Sequence, residues 1–299
     1  MKQAVEFQSD GTTCRGYVFS PSPETSNGAG IVVAHGLAGT IDAGILEYGE
    51  GFAAAGFHAL VFDYRGFGES DGDIRQHVSV PMQRADWRAA ITTLRAHDGV
   101  DAARIGLWGM SFSGGHVFYL AHEDAAIKAI VSQVPMVDSH LAMTVGTYQR
   151  GGPQSAALGA IVQGEIKNML LRRPSKMIAV APTEGAGPPV LGAEEAAIYP
   201  KIVGPSWRNE ITARSFITGK LADNNATELL DTFTTPVLLQ LAEDDKSVSN
   251  EAMVNMARRL GPVAQLKKYQ GGHFEFLKEP GRPLALADAS QFFTEQLAS

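Results

Sequence analysis

Cysteine is almost missing. Cys14 stands alone among 299 residues, so no internal disulfide can form and no thiolate metal site can be assembled. Long apolar runs are missing too. No stretch approaches the roughly 18 apolar residues of a membrane span, and the opening MKQAVEFQSDG holds no apolar leader core. A soluble, cytoplasmic protein is expected. Positive charge is scarce: 25 Lys and Arg against 32 Asp and Glu leave a net charge of −7, with no long basic run. Nucleic-acid binding by phosphate neutralisation is therefore not expected. What the chain does have is 44% hydrophobic and 19% charged residues, a globular balance that excludes disorder. Its length suits one large α/β domain with one insertion. A chain of this size buries about three quarters of its unfolded surface and needs no covalent staple.

The order of elements is legible from pattern. Short β-prone runs at Ala4–Gln8 and Arg15–Phe19 flank Ser9-Asp10-Gly11 and predict a hairpin, followed by a loop over 21–30. An alternation then begins. Ile31–Ala34 is a continuous apolar run, as expected of a strand buried on both faces. Leu46–Ala55 reads as helix, Ala59–Phe62 as strand, Pro81–Leu94 as helix and Arg104–Trp108 as strand. Ser111–Ala121 is then helix and Ile127–Ser132 strand. The rhythm stops near Pro135 and resumes at Pro236. Val237–Leu241 and Ala264–Tyr269 are predicted strands; Glu251–Leu260 and Leu284–Leu297 are predicted helices. Such repetition implies a mostly parallel sheet covered by helices on both sides. The intervening residues 135–234, with a Pro- and Gly-rich loop at 181–192, read as a lid over the crevice at the strands' C-terminal ends.

Two serines compete for attention. Gly68-Glu69-Ser70-Asp71-Gly72 matches G-x-S-x-G literally, but a loop follows it, with helix only from Pro81. The motif works because a strand turns sharply into a helix, with small residues where the chain passes close to itself. Ser111 has that setting. It lies between a strand and a helix in RIGLWGMSFSGG, with Gly109 two residues before it and Ser113 at the last small position.

A hydroxyl nucleophile needs a base, and the base needs an orienting acid, in the order Ser, Asp or Glu, His. Of the later histidines, His116 and His122 ride away on the helix that starts at Ser111, and His140 opens the insertion. His273, in GGHF beyond the last strand, sits at the correct sheet edge. After Val237–Leu241 come three carboxylates, Glu243, Asp244 and Asp245. The small-residue, two-variable, Asp spacing selects Asp245, and Asp138 is a second place for the acid. The oxyanion donors expected are the backbone N–H groups of Phe112 and of Leu37, the latter in His35-Gly36-Leu37-Ala38-Gly39-Thr40. His35 is expected to shape that loop. A charge pair in Asp63-Tyr64-Arg65 is expected to pin the next one.

HGLAGT, DYRGFGESDG, LWGMSFSGG, AEDD and GGHF occur in this order over nearly the whole chain, which resembles the α/β-hydrolase superfamily. SFSGGHV and Trp207-Arg208-Asn209-Glu210 are similar to bacterial hydrolases related to fungal polyketide transferases and to S15-type peptidases. The resemblance implies an α/β-hydrolase fold with a core over 1–134 and 235–299 and a lid over 135–234. It also implies a Ser111–His273–Asp245 hydrolase with no metal and no cofactor. The expected partner is a small-molecule ester or thioester with an apolar acyl part, with no nucleic acid and no membrane; a homodimer is left open. Acyl transfer through the same residues and a non-catalytic binding protein of this fold are the alternatives. Apolar pieces of the insertion, Ala156–Val162 and Met177–Val180, are expected to pack the lid and line its pocket, and loop 181–192 to be its mobile part.

Overall fold

The computed structural model describes residues 1–298 other than 186, 192 and 193, and gives only the backbone of 142–150 and 194–195. The chain opens with a hairpin of β1 (Lys2–Ser9) and β2 (Thr12–Phe19), turned by Asp10 and Gly11, both at positive φ. Then follow β3 (Gly30–Ala34), α1 (Leu46–Ala54), β4 (His58–Phe62), α2 (Val80–Arg95), β5 (Ile105–Met110), α3 (Phe112–Glu123) and β6 (Ile127–Gln133). The insertion carries α4 (Ser139–Leu170), β7 (Met177–Ile178), α5 (Tyr199–Ile202), β8 (Ile211–Thr212) and α6 (Ser215–Thr218). The core resumes with β9 (Val237–Ala242), α7 (Asn250–Leu260), β10 (Ala264–Tyr269) and α8 (Gly281–Gln296). Each strand and helix expected of the core is present, with ends differing by a few residues at most.

The main sheet has eight strands in the order β1-β2-β4-β3-β5-β6-β9-β10. β2 is antiparallel to both its neighbours, and the remaining pairs are parallel. From β3 the chain moves to β4 on one side and later to β5 on the other. Right-handed crossovers therefore put α1 and α3 on opposite faces, and the loops after β3 and β5 diverge to leave a crevice. Every residue of β3, β4 and β5 is buried, as strands covered on both faces require. Neighbours on β4 serve the two layers in turn. Phe62 meets Trp87 of α2 edge to face at 5.6 Å, whereas Val61 faces Gly49 of α1. On the α1 side, Phe52 packs on Phe293 of α8 at 5.7 Å.

The insertion departs from expectation. α4 breaks at Gly151 (φ 75°, ψ 162°), two residues before Pro153, and resumes as a largely exposed helix. Ala156 and Ala157 face solvent. Leu158 instead joins Ile178 and Ala213 in a small apolar cluster on the β7–β8 ribbon, with Ile161 and Val162 packed against it. Ala156–Val162 thus build the insertion's own core and do not line the crevice. A period-3.6 pattern says that one face is buried, not against what.

β2 passes so close to β4 that a Cβ at Gly16 would lie 2.0 Å from the Val61 carbonyl oxygen and 2.7 Å from the Phe62 Cα. Both obstacles are backbone and cannot rotate away. Gly16→Ala is expected to cost about 3 kcal/mol or more, read as a lower urea midpoint. An unchanged midpoint would mean that the two strands can separate freely.

Candidate active site

Ser111 occupies the turn between β5 and α3 with φ 58° and ψ −116°, a conformation that non-glycine residues avoid. Its neighbours hold it there. Its N–H donates to the Gln133 carbonyl at 2.8 Å, and its carbonyl accepts from the Met136 N–H at 2.9 Å. A Cβ at Gly109 would meet the Ser113 backbone at 2.4 Å, so the chain crosses itself where only glycine fits. The outcome is a hydroxyl pushed up at the crevice.

Three of the residues selected from sequence meet there. The Ser111 hydroxyl lies 3.0 Å from His273 Nε2, and His273 Nδ1 lies 2.8 Å from Asp245 Oδ2. A carboxylate can only accept, so Nδ1 carries the proton and Nε2 presents a lone pair to the hydroxyl. Asp245 Oδ1 is held by the N–H groups of Ser247 (2.8 Å) and Val248 (3.0 Å). Asp245 and His273 are buried, whereas Glu243 and Asp244 are exposed. Asp138 is engaged elsewhere, capping α4 through the Leu141 N–H at 2.9 Å. His116 is buried on α3 with Nε2 2.9 Å from Gln83 Oε1, and burial drives its pKa well below the ordinary histidine value. Ser70 does structural work. Its hydroxyl donates to the Asp63 carbonyl at 2.6 Å and accepts from the Arg15 N–H at 2.8 Å, tying the loop after β4 to β2.

The loop after β3 is pressed against the elbow: a Cβ on Gly36 would stand 2.9 Å from the Ser111 Cβ. Among the described residues, neither the Leu37 N–H nor the Phe112 N–H is donated to another protein group. Phe112 opens the twelve-residue α3, whose N-terminal dipole end favours negative charge. Several groups fix this loop from behind. His35 is buried; its Nδ1–H donates to the Gly36 carbonyl at 3.0 Å and its Nε2 faces Asp63 Oδ1 at 3.6 Å. Asp63 Oδ1 also accepts the Ile41 N–H at 2.9 Å. The Trp87 indole donates to the Tyr64 hydroxyl at 2.7 Å, Tyr64 bonds Ser113, and the Ser113 hydroxyl donates to the His35 carbonyl.

The Asp63–Arg65 charge pair expected from sequence does not form. Arg65 pairs with buried Asp86 of α2 at 2.6 Å, and Asp63 turns to the loop after β3. Adjacent charges on an extended backbone point opposite ways, so each finds a distant partner.

The insertion reaches the same loop. The Trp207 Nε1–H donates to the Ala38 carbonyl at 2.9 Å, and the Ser206 N–H donates to Asp42 Oδ2 at 2.9 Å. Asn209 accepts the N–H groups of Val180 and Ala181 at 3.0 and 2.8 Å. Loop 181–192, of which 186 and 192 lie outside the described residues, is thus tied at its start. It is also tied near its end, where the Leu191 N–H donates to the Val180 carbonyl at 2.8 Å. Above Ser111 lies a cleft of about 530 Å³, mouth included. Its described lining includes Met110, Met136, Leu191, Tyr199, Val248 and Leu277 and no carboxylate. Met136, Leu191 and Tyr199 come from the insertion. Sequence reasoning passed over them because isolated apolar residues in irregular segments carry no periodic signal.

The strand–elbow–helix arrangement on this sheet defines an α/β-hydrolase. The chain belongs to the Hydrolase_4 family, described as serine aminopeptidase, S33, whose model matches residues 25–281. It is 31% identical over 280 residues to the quorum-quenching protein AidA of Acinetobacter baumannii, spanning 91% of this chain and 87% of that one. It is 36% identical over 136 residues to the thiohydrolase aneE of Aspergillus aculeatus, 45% of this chain and 42% of the relative. The polyketide transferase GrgF of Penicillium sp. is 30% identical over 136 residues, 45% of each chain. The GrgF crystal structure superposes with a TM-score of 0.78 at 20% identity, covering 100% of both chains. Among the described residues, no helix is long and apolar enough to cross a membrane.

Burial moves a proton within the His35–Asp63 pair. It lowers His35 from 6.5 to about 4 and raises Asp63 from 3.8 to about 7. Between about pH 4 and 6.5 the pair therefore holds one proton in either state, on the imidazole when unfolded and on the carboxyl when folded. The two effects on stability cancel. Asp63→Asn leaves His35 alone, and the unfolded state then binds the extra proton below pH 6.5. Stability of the variant is expected to fall with pH by up to about 1.4 kcal/mol per unit from 6.5 towards 4. Thermal melts of both proteins across that range test this; parallel pH profiles would contradict it.

Proposed function

We propose that this protein hydrolyses carboxylic esters or thioesters through an acyl-enzyme on Ser111. The observation that carries the reading is the continuous contact from Ser111 Oγ to His273 Nε2 (3.0 Å) and from His273 Nδ1 to Asp245 (2.8 Å) beneath an apolar cleft. His273 takes the hydroxyl proton as Ser111 Oγ attacks the carbonyl carbon, and Asp245 stabilises the imidazolium and keeps its orientation. The N–H groups of Leu37 and Phe112 receive the oxyanion, each worth on the order of 3 kcal/mol. His273 then protonates the leaving alcohol or thiol. Water, activated by the same imidazole, releases the acid and restores Ser111.

Residues 135–234 act as a lid whose Met136, Leu191 and Tyr199 close the acyl pocket. Acyl transfer is a second reading, favoured by the apolar lining, which shields an acyl-enzyme from water, and by the relative named as a polyketide transferase. It differs only in the group that accepts the acyl chain. Product analysis with an added alcohol or amine separates the two. Aminopeptidase action is disfavoured: no carboxylate among the described lining residues stands ready for a substrate amino terminus.

Ser111→Ala is expected to abolish turnover and labelling by a serine-reactive phosphonate with the melting temperature retained. Ser70→Ala is expected to keep its kcat and to lose about 1–3 kcal/mol of stability from two unmade buried hydrogen bonds. Loss of activity in the second variant and not the first would place the nucleophile at Ser70.

Chain length is the complementary test. A buried methylene contributes about 0.8 kcal/mol at best, so kcat/KM for p-nitrophenyl esters should rise several-fold over the first added methylenes. It should then level off as the cleft fills. A steady decline from acetate onwards would rule out the apolar acyl pocket.

A further inference from the structure

The apolar cleft contains one polar group that the proposed chemistry does not use, the hydroxyl of Tyr199. Tyr199 is 5% exposed and lines the cleft from α5. Its ring is fixed on two sides, stacked on Phe274 at 5.0 Å with 28° between planes and edge-on to Trp207 at 5.2 Å. Phe274 is the residue after His273, so the ring rests directly on the segment that carries the proposed base. The hydroxyl points at the loop after β3, 2.9 Å from where a Cβ on Gly39 would stand. The Gly39 N–H donates to the Gly36 carbonyl at 3.3 Å, and Gly36 abuts Ser111, so one tight turn separates Tyr199 from the nucleophile.

Among the described residues no group hydrogen-bonds the Tyr199 hydroxyl. Trp207 donates past it to Ala38, and Asp42 is occupied by Thr40 and the Ser206 N–H. Burial and the nearby Asp42 carboxylate both push its pKa upwards, which keeps it a neutral donor. A phenol hydroxyl buried without a partner costs free energy, and an apolar ring such as Phe would fill the same space without that cost.

Resting on the serine-hydrolase reading above, we infer that Tyr199 is a specificity-determining residue. Its hydroxyl donates a hydrogen bond to a second oxygen of the substrate, a keto or hydroxyl oxygen within a few bonds of the scissile carbonyl. The preferred substrates are then oxygen-bearing esters or thioesters rather than plain alkanoyl ones. A site built to bond a substrate oxygen rejects the analogue without it far more strongly than a greasy pocket can.

The test is a set of matched pairs assayed on wild type, Tyr199→Phe and Ser111→Ala. One arm compares 3-oxoacyl and 3-hydroxyacyl thioesters with alkanoyl thioesters of equal length. The other keeps the acyl group and compares alkyl with hydroxyalkyl leaving groups. Wild type is expected to favour the oxygenated member of one arm at least tenfold in kcat/KM, and that arm locates the oxygen. Tyr199→Phe is expected to reduce this preference at least tenfold. Wild-type preferences below twofold in both arms, or a preference that survives in Tyr199→Phe, would overturn the inference. Turnover by Ser111→Ala would instead overturn the serine-hydrolase reading.

Discussion

A serine at φ 58° does not stay there unaided, and much of the surrounding structure can be understood as what keeps Ser111 in place. The strain is of order 1–3 kcal/mol. Against it stand two backbone hydrogen bonds to the end of β6 and the segment after it, made by the Ser111 N–H and carbonyl. The glycine at 109 lets the strand enter the turn closely enough for those bonds to form, and Ser113 continues the restraint on the helical side. Because Ser113 bonds both Tyr64 and the His35 carbonyl, the loops after β3, β4 and β5 are joined directly beneath the crevice. One strained residue thus fixes which strands must be neighbours and which loops must touch.

The same logic explains how much was legible beforehand. The core reads directly because its signals are local. A buried parallel strand needs an unbroken apolar run, an elbow needs small residues flanking a serine, and a turn needs a residue that tolerates positive φ. Ser111, His273 and Asp245 were selected on those grounds, and their distances follow from strand ends that the alternation had already put on one edge. Partner choice was not legible. Nothing in Asp63-Tyr64-Arg65 says that Arg65 will find Asp86, 21 residues away, while Asp63 turns to Ile41. Ser70 is a case of the same kind: the string around it matched a motif, but its two hydrogen bonds are to backbone groups that only the folded sheet brings near.

The insertion was the least legible segment, for a physical reason. Its contacts with the core run through single side chains on irregular backbone, with no period to betray them. Trp207 bonds a carbonyl 169 residues earlier in the chain, and Ser206 reaches Asp42 across 164. Yet the Trp207-Arg208-Asn209-Glu210 string that stood out by resemblance proves to be a two-ended tie. Trp207 grips the loop after β3, and Asn209 grips the strand-like turn that leads into loop 181–192. A segment that looks like an appendage in sequence is fastened to the loop that carries the proposed oxyanion donor.

That fastening bears on how the cleft can work. Ala38, whose carbonyl Trp207 holds, is itself at positive φ (51°), one residue from Leu37. Behind the loop, His35 and Asp63 restrain it from the core; in front, Trp207 and the Asp42–Ser206 contact restrain it from the insertion. An N–H group stabilises a developing oxyanion well only if it need not reorganise when the charge appears. Restraint on both sides supplies that preorganisation, and it makes cover and chemistry interdependent. Any movement of the insertion large enough to admit a bulky substrate between Tyr199 and the core must strain or break the Trp207–Ala38 bond. Release of that bond frees the backbone next to Leu37. The open form would then be the less competent one, and the substrate's own contacts with the insertion would help restore the geometry that its carbonyl requires.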